Sequence, residues 1–254
     1  MVEPRVTGER VSTSAGGFNP IWQRHVAAYS LCAPLLPDGR VLDLGCGVGH
    51  SYEALAPRVT VGLDVDPDVL SGQRRETRVG DMRALPFADG DFDATISVQA
   101  IEHVPDPERA LAEARRVVRP GGVAVFVTPN RLTFSPLGEI VDPYHHVEFS
   151  AAELRSACEA EFERVELHGL FGSSRYLELV AAERGGLERL LRLDPLRMRR
   201  LVPRAMRKRL YDLGLRRARR ASDPPAAAIG PADFTLREAP LEEALDLVAV
   251  CLNG

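Results

Sequence analysis

The chain has 254 residues, 45% of them hydrophobic, and a formal net charge of −4, which is enough apolar content for one substantial core and excludes wholesale disorder. No apolar run approaches the ~20 residues of a membrane-spanning helix, and residues 1–16 lack the apolar stretch of a secretory signal, so a cytoplasmic protein is expected. The charge is uneven: residues 181–220 hold fourteen Arg or Lys against four Asp or Glu, an excess that could meet an anionic surface while the acidic remainder argues against nucleic-acid binding.

In chain order, residues 1–19 are rich in Gly, Ser, Thr and Pro without apolar periodicity, and an irregular arm is expected. Pro20 to Leu36 reads as a helix with Ile21, Val26, Tyr29 and Leu35 on its apolar face. Alternating elements follow. Val41–Leu44, Val59–Leu63, Phe92–Val98 and Val123–Thr128 are short apolar runs typical of buried strands, and helical stretches lie near His50–Ala56, Pro67–Gln73 and Pro107–Val118. Ser150 is placed to cap a helix reaching Ala160, with a strand at Arg164–His168. The segment from Arg175 to Ala221 is Arg-rich and helical in pattern, and strand-like runs recur at Phe234–Arg237 and Leu245–Leu252.

This β-α alternation predicts a doubly wound α/β fold with a mostly parallel sheet, ligands binding beyond the carboxyl ends of the strands. The expected organisation is an N-terminal arm and helix (1–36), a core (37–174), a helical insertion or lid (175–232) and final strands that complete the sheet (233–254). The four cysteines, Cys32, Cys46, Cys158 and Cys251, are too dispersed for a CxxC metal site or a disulfide framework.

The most informative stretch is VLDLGCGVGH, residues 41–50. A strand runs into a turn in which Gly45, Gly47 and Gly49 let the backbone approach a ligand, and a helix start follows whose amides can meet a polar group. A dinucleotide fingerprint would need GxGxxG, but His50 occupies the slot of the third glycine, and no GxxxxGK[ST] phosphate loop is present. VGLDVD, residues 61–66, ends a strand on Asp64, about twenty residues beyond the first glycine, where a carboxylate can accept from both hydroxyls of a ribose. Asp66 is its neighbouring rival and an alternative helix cap, with Pro67 at the first helical position.

GDMRALPFADGDFDATISVQAIEH, residues 80–103, and the Arg-Pro-Gly-Gly turn after the amphipathic helix from Pro107 complete a set of four motifs over residues 41–130. In this order they resemble the class I S-adenosylmethionine-dependent methyltransferases, with a looser likeness to ubiquinone- and menaquinone-pathway enzymes. That resemblance implies a Rossmann-like seven-stranded sheet with an antiparallel last strand. It implies S-adenosylmethionine as cofactor and S-adenosylhomocysteine as product, bound by Asp43, Gly45, Cys46, Gly47, Gly49, Asp64, Val65, Asp81, Met82, Ser97 and Gln99. Asp43 would lie near the methionine ammonium, Asp64 on the ribose, Asp81 at the adenine amino group and Met82 against the ring, a favourable place for a thioether. Ser97 and Gln99 would face the methionine end.

For the acceptor side, His145 is the first candidate base, with His146 and His103 behind it, because imidazoles titrate near neutral pH. Glu102 beside His103 resembles the acidic and histidine residues with which some ubiquinone-pathway O-methyltransferases hold a divalent metal, but no metal ligand is assigned. The expected activity is O-, N- or C-methylation of a small molecule, lipid-linked and sugar-bearing acceptors included, with residues 181–220 available to an anionic membrane. The competing expectation is a non-catalytic cofactor-binding protein of regulation or assembly.

Overall fold

The computed structural model describes residues 20–49, 51–135, 140, 142–181, 203, 205–209 and 228–254. The expected irregular arm, His50 and most of the 175–232 segment lie outside the described residues.

Helix α1 (Pro20–Cys32) starts on a proline and gives way to a single 3-10 turn at Ala33–Leu35, with Pro34 inside it. The alternating elements are β1 (Arg40–Leu44), α2 (Tyr52–Leu55), β2 (Val59–Asp64), α3 (Pro67–Leu70), β3 (Glu76–Val79), β4 (Phe92–Val98), α4 (Pro107–Val117) and β5 (Val118–Pro129). After these come α5 (Arg131–Phe134), α6 (Ala151–Glu159), β6 (Arg164–Gly172), β7 (Phe234–Arg237) and β8 (Asp246–Leu252). Asp66 caps α3, its carboxylate accepting from the Asp68 amide at 2.9 Å with Pro67 following. Ser150 and Glu153 form a reciprocal capping box at α6, so the Ser-x-x-Glu spacing works as its chemistry demands.

The sheet has eight strands in the order β3-β2-β1-β4-β5-β8-β6-β7, one more than expected. β1 pairs in parallel with β2 and β4, β2 with β3, and β4 with β5. β8 runs antiparallel between β5 and β6, and β7, expected at Phe234–Arg237, runs antiparallel on the outer edge of β6; β3 is the strand that no apolar run announced. The Arg-Pro-Gly-Gly segment does not simply end α4. It forms an irregularity in β5, where the register with β4 shifts between Phe92 and Ala94; the Gly121 amide donates to Asn253 at 2.7 Å.

Side chains alternate across the central strands, as a pleated sheet requires. Leu42, Leu44, Phe92, Ala124 and Phe126 pack with α4 and α6 on one face, and Val41, Ala94, Ile96, Val125 and Val127 pack with α1, Tyr176 and Phe234 on the other. Chain direction reverses its progress across the sheet between β1 and β4, and a doubly wound sheet opens a ligand crevice at such a switch point.

Candidate active site

The glycine turn lies at this crevice. Amides of Gly45 and Cys46 donate to the Leu63 carbonyl at 2.8 and 3.0 Å, folding the end of β1 against β2. Gly45 (φ +70°) is tightly enclosed, since a Cβ there would stand 2.4 Å from the Ala100 Cβ. Gly47 (φ +51°) differs: a Cβ would meet nothing within 4 Å, so its backbone borders open space that a ligand can enter, in a conformation that disfavours side chains. Gly49 abuts the Gln73 amide. The Cys46 side chain turns inward against Val69 and Leu70, and burial pushes its thiol up to about 12. Any contact of Cys46 with a ligand in the crevice would therefore come from its backbone rather than its thiol.

Asp64 sits half-buried at the end of β2. One carboxylate oxygen accepts from the Gly47 amide at 3.0 Å and the other from the Asp66 amide at 3.0 Å, so the acid is fixed to the rim of the glycine turn. Val65 beside it is 65% exposed, an apolar surface at the crevice edge. Asp81 is engaged differently from expectation. Arg83 clasps it through a hydrogen-bonded ion pair of 2.6 Å that, with the Arg83 amide, holds its carboxyl below the usual range. Met82 belongs mostly to the core, its terminal methyl 3.5 Å from where a Gly45 Cβ would stand.

Asp43, expected near the methionine ammonium, already has donors within the protein. It is fully buried. Tyr29 donates to one oxygen at 2.8 Å, while Ser51 and Arg75 donate to the other, Arg75 at 2.8 Å. The carboxylate thus ties α1, the glycine turn and the chain before β3 together. Arg75 Nη1 is buried without an acceptor among the described residues.

At the end of β4, Ser97 is buried and its hydroxyl lacks a hydrogen-bond partner in the described structure. Gln99 adopts φ +49°, the only non-glycine residue with positive φ among those described; such strain concentrates at functional sites. Its side chain donates to Asp246 at 3.0 Å rather than projecting freely. Asp246 is in turn clasped by Arg24, with Nε at 2.7 Å, a buried pair separated by 222 residues in sequence. Sequence reading missed it.

Beyond Gln99 the short helical turn Ile101–His103 carries a second polar group. Glu102 is 1% exposed; Thr128 donates to Oε2 at 3.1 Å, and Oε1 has no hydrogen-bond partner among the described residues. Burial pushes its carboxyl up to about 7, against the pull of His145. His145 is buried with Nδ1 2.9 Å from Glu148 Oε1. Burial works to lower the pKa of its imidazole, but the Glu148 hydrogen bond and the Glu102 and Asp142 carboxylates outweigh it, and the net shift is upward. The His103 ring stands 5.0 Å from the His145 ring, with Nδ1 3.4 Å from the Tyr144 carbonyl. Donor atoms of Glu102, His103 and His145 all lie within 4.8 Å of one another, a set whose types suit a divalent cation. His146 is exposed, and its amide donates to the Glu102 carbonyl at 2.7 Å. His145 and His146 line a cleft with Ile140, Asp142, Pro143 and Arg207.

A switch-point crevice bordered by an open glycine backbone, a carboxylate at the end of the second strand and an apolar rim defines a doubly wound protein that binds a nucleoside-bearing ligand. The methyltransferase-domain family model matches residues 42–126. A protein of Mycolicibacterium smegmatis named as a probable S-adenosylmethionine-dependent methyltransferase is 32% identical over 98% of this chain and 95% of its own. The malonyl-[acyl-carrier protein] O-methyltransferase of Methylococcus capsulatus is 31% identical over 84% of this chain and 78% of its own. A solved S-adenosylmethionine-dependent methyltransferase from Thermotoga maritima superposes with a TM-score of 0.59 at 18% identity, covering 92% of both chains, and shows the shared fold. The chain belongs to the S-adenosylmethionine-dependent methyltransferase family. No described helix is long and apolar enough to cross a membrane.

Proposed function

We propose that this methyltransferase acts on a small-molecule acceptor whose proton is received by His145. The observation that carries the reading is the pairing of His145 Nδ1 with Glu148 at 2.9 Å in the wall of a cleft beside the end of β4. A carboxylate on Nδ1 fixes that nitrogen as the proton carrier and leaves Nε2 as the acceptor. The upward shift of its pKa strengthens it as a base near neutral pH.

The cofactor supplies a methyl group already activated on a sulfonium. Asp64 is suited to accept from ribose hydroxyls, Val65 to cover an apolar ring face, and the Gly47 backbone to border the ligand without a side chain in the way. Holding the acceptor in line accounts for most of the rate, since orientation can lower a barrier by about 7–11 kcal/mol. Thr128 fixes Glu102, whose charge favours protonated His145. Acyl-carrier substrates of a relative such as the malonyl-[acyl-carrier protein] enzyme are compatible with an acceptor that enters from the cleft.

Transfer of labelled methyl from S-adenosylmethionine into fractions of a metabolite extract tests this reading. His145→Gln is expected to lower kcat by ~10²–10⁴ while S-adenosylhomocysteine affinity stays unchanged. A kcat within threefold of wild type would remove His145 as the base, and cofactor binding without any transfer would favour a binding protein.

A further inference from the structure

The cleft lined by Ile140, Asp142, Pro143, His145, His146 and Arg207 has a volume of about 200 Å³. That is below the ~300–1,000 Å³ of pockets that enclose a whole drug-sized ligand, so it suits one end of a molecule. Its polar groups are of two kinds. The acids are already engaged: Asp142 accepts from the Tyr144 amide at 2.8 Å, and Glu148, behind the wall, holds His145. The one cation of its described lining, Arg207, keeps an open donor. Arg207 Nε is buried with no hydrogen-bond partner among the described residues. Lys208, next in sequence, has its ammonium 4.2 Å from the Tyr144 ring centroid, which holds the side chain by cation–π attraction and leaves its three N–H donors without an acceptor in that contact.

An arginine carries five donors in a planar fork that matches the oxygens of a phosphate or carboxylate. A buried guanidinium N–H without an acceptor is a costly arrangement unless a ligand supplies one. His146 adds a polar, exposed side of the cleft, and Ile140 and Pro143 give it an apolar wall. Both cations come from residues 205–209, a described helical piece of the Arg-rich stretch, so this part of that stretch meets the wall that carries the proposed base.

From these contacts we infer that the cleft is an oxyanion subsite: the methyl acceptor bears a phosphate or carboxylate that Arg207 receives, with Lys208 beside it, and so presents its nucleophilic atom to His145. This deepens the function proposed above and rests on the cleft being the acceptor side. The chemistry is the same whether the anion belongs to a free metabolite or to a lipid headgroup.

The test is equilibrium binding to the full-length protein saturated with S-adenosylhomocysteine. Phenyl phosphate and benzoate serve as soluble oxyanions, phenol as the neutral control, and vesicles of phosphatidylcholine with and without phosphatidic acid as the lipid arm. Saturable binding of phenyl phosphate or benzoate, absent for phenol, is expected. Arg207→Met should weaken it roughly 10- to 100-fold, Arg207→Lys should restore part of it, and S-adenosylhomocysteine affinity should not change in either variant. Binding confined to phosphatidic acid vesicles, with the same loss in Arg207→Met, supports the subsite and assigns its anion to a lipid. Absence of saturable oxyanion binding in every arm, or equal affinity in Arg207→Met, overturns the inference. Since methyl transfer and its dependence on His145 are measured separately, a neutral acceptor methylated through His145 would refute the subsite and leave the function standing.

Discussion

Replacing Glu102 by Gln should change how stability depends on pH. Glu102 is fully enclosed, and burial pushes its carboxyl from the ordinary 4.5 to about 7. The folded protein therefore keeps a proton that the unfolded chain releases, and stability falls as pH rises from about 4.5 to about 7, then levels off. At ~1.36 kcal/mol per pH unit this amounts to about 3 kcal/mol. His145 acts with the same sign, because its raised pKa contributes stability at low pH that is lost as pH rises through its folded value. Gln keeps the acceptor for Thr128 but cannot ionise, and it also removes the Glu102 charge that lifts His145. Urea unfolding of ligand-free wild type and Glu102→Gln at intervals from pH 4.5 to 8 measures the difference, with m-values checked for equality. The variant should gain about 3 kcal/mol relative to wild type across that window. A constant offset between the two curves would show that Glu102 titrates as an ordinary carboxylate and refute the argument.

Asp64→Ala should weaken S-adenosylhomocysteine binding at least ~10-fold in calorimetry, since each charge-assisted hydrogen bond is worth about 1.5–3 kcal/mol; unchanged affinity in a folded variant would remove Asp64 from the ribose. Gly47→Val, at φ +51°, should abolish that binding with the far-UV spectrum retained, and normal binding would contradict the open-backbone reading. Arg24→Met leaves the buried Asp246 charge without its partner and should cost about 3–5 kcal/mol in urea unfolding, with Asp246→Leu in the same chain recovering much of it. Additive losses in the double variant would show that the pair is not coupled.

The central strands were legible because they are buried on both faces and rich in apolar residues, continuously in Val123–Val127 and at alternate positions in Phe92–Val98. β3 was not, for the opposite reason: Glu76, Arg78 and Val79 are exposed on an edge, so Glu-Thr-Arg-Val carries no apolar signal. The glycine turn and Asp64 could be read because their chemistry is local in sequence. The Asp66 and Ser150 caps could be read for the same reason. Arg24 with Asp246 could not, since nothing at either position signals a partner 222 residues away; the apolar face assigned to α1 was correspondingly rotated, with Ile21 and Val26 only half-buried while Arg24 is enclosed. The burial of Glu102 could not be read from its Glu-His-Val triplet, because it depends on the descent of residues 142–149 over it, bonded at the His146 amide. Asp43 matched its motif, yet its three donors come from Tyr29, Ser51 and Arg75, and the motif names none of them.

The position of β8 has a consequence for the order in which the molecule can assemble. β6 bonds to the parallel half of the sheet only through β8, and β8 is separated from β5 by more than a hundred residues of chain. Strands β1 to β5 can pair by short crossovers soon after each emerges, but β6 has no edge to join until Asp246–Leu252 arrives and lies down beside Val123–Pro129. The same strand brings Asp246 to Arg24 and Gln99. A ribosome-bound chain that has released everything up to β7 therefore holds a five-stranded intermediate with an apolar edge at β5, an Arg24 without Asp246, and an antiparallel β6–β7 pair with nowhere to dock. Closure of the fold is a late, non-local event of the kind that sets slow folding rates.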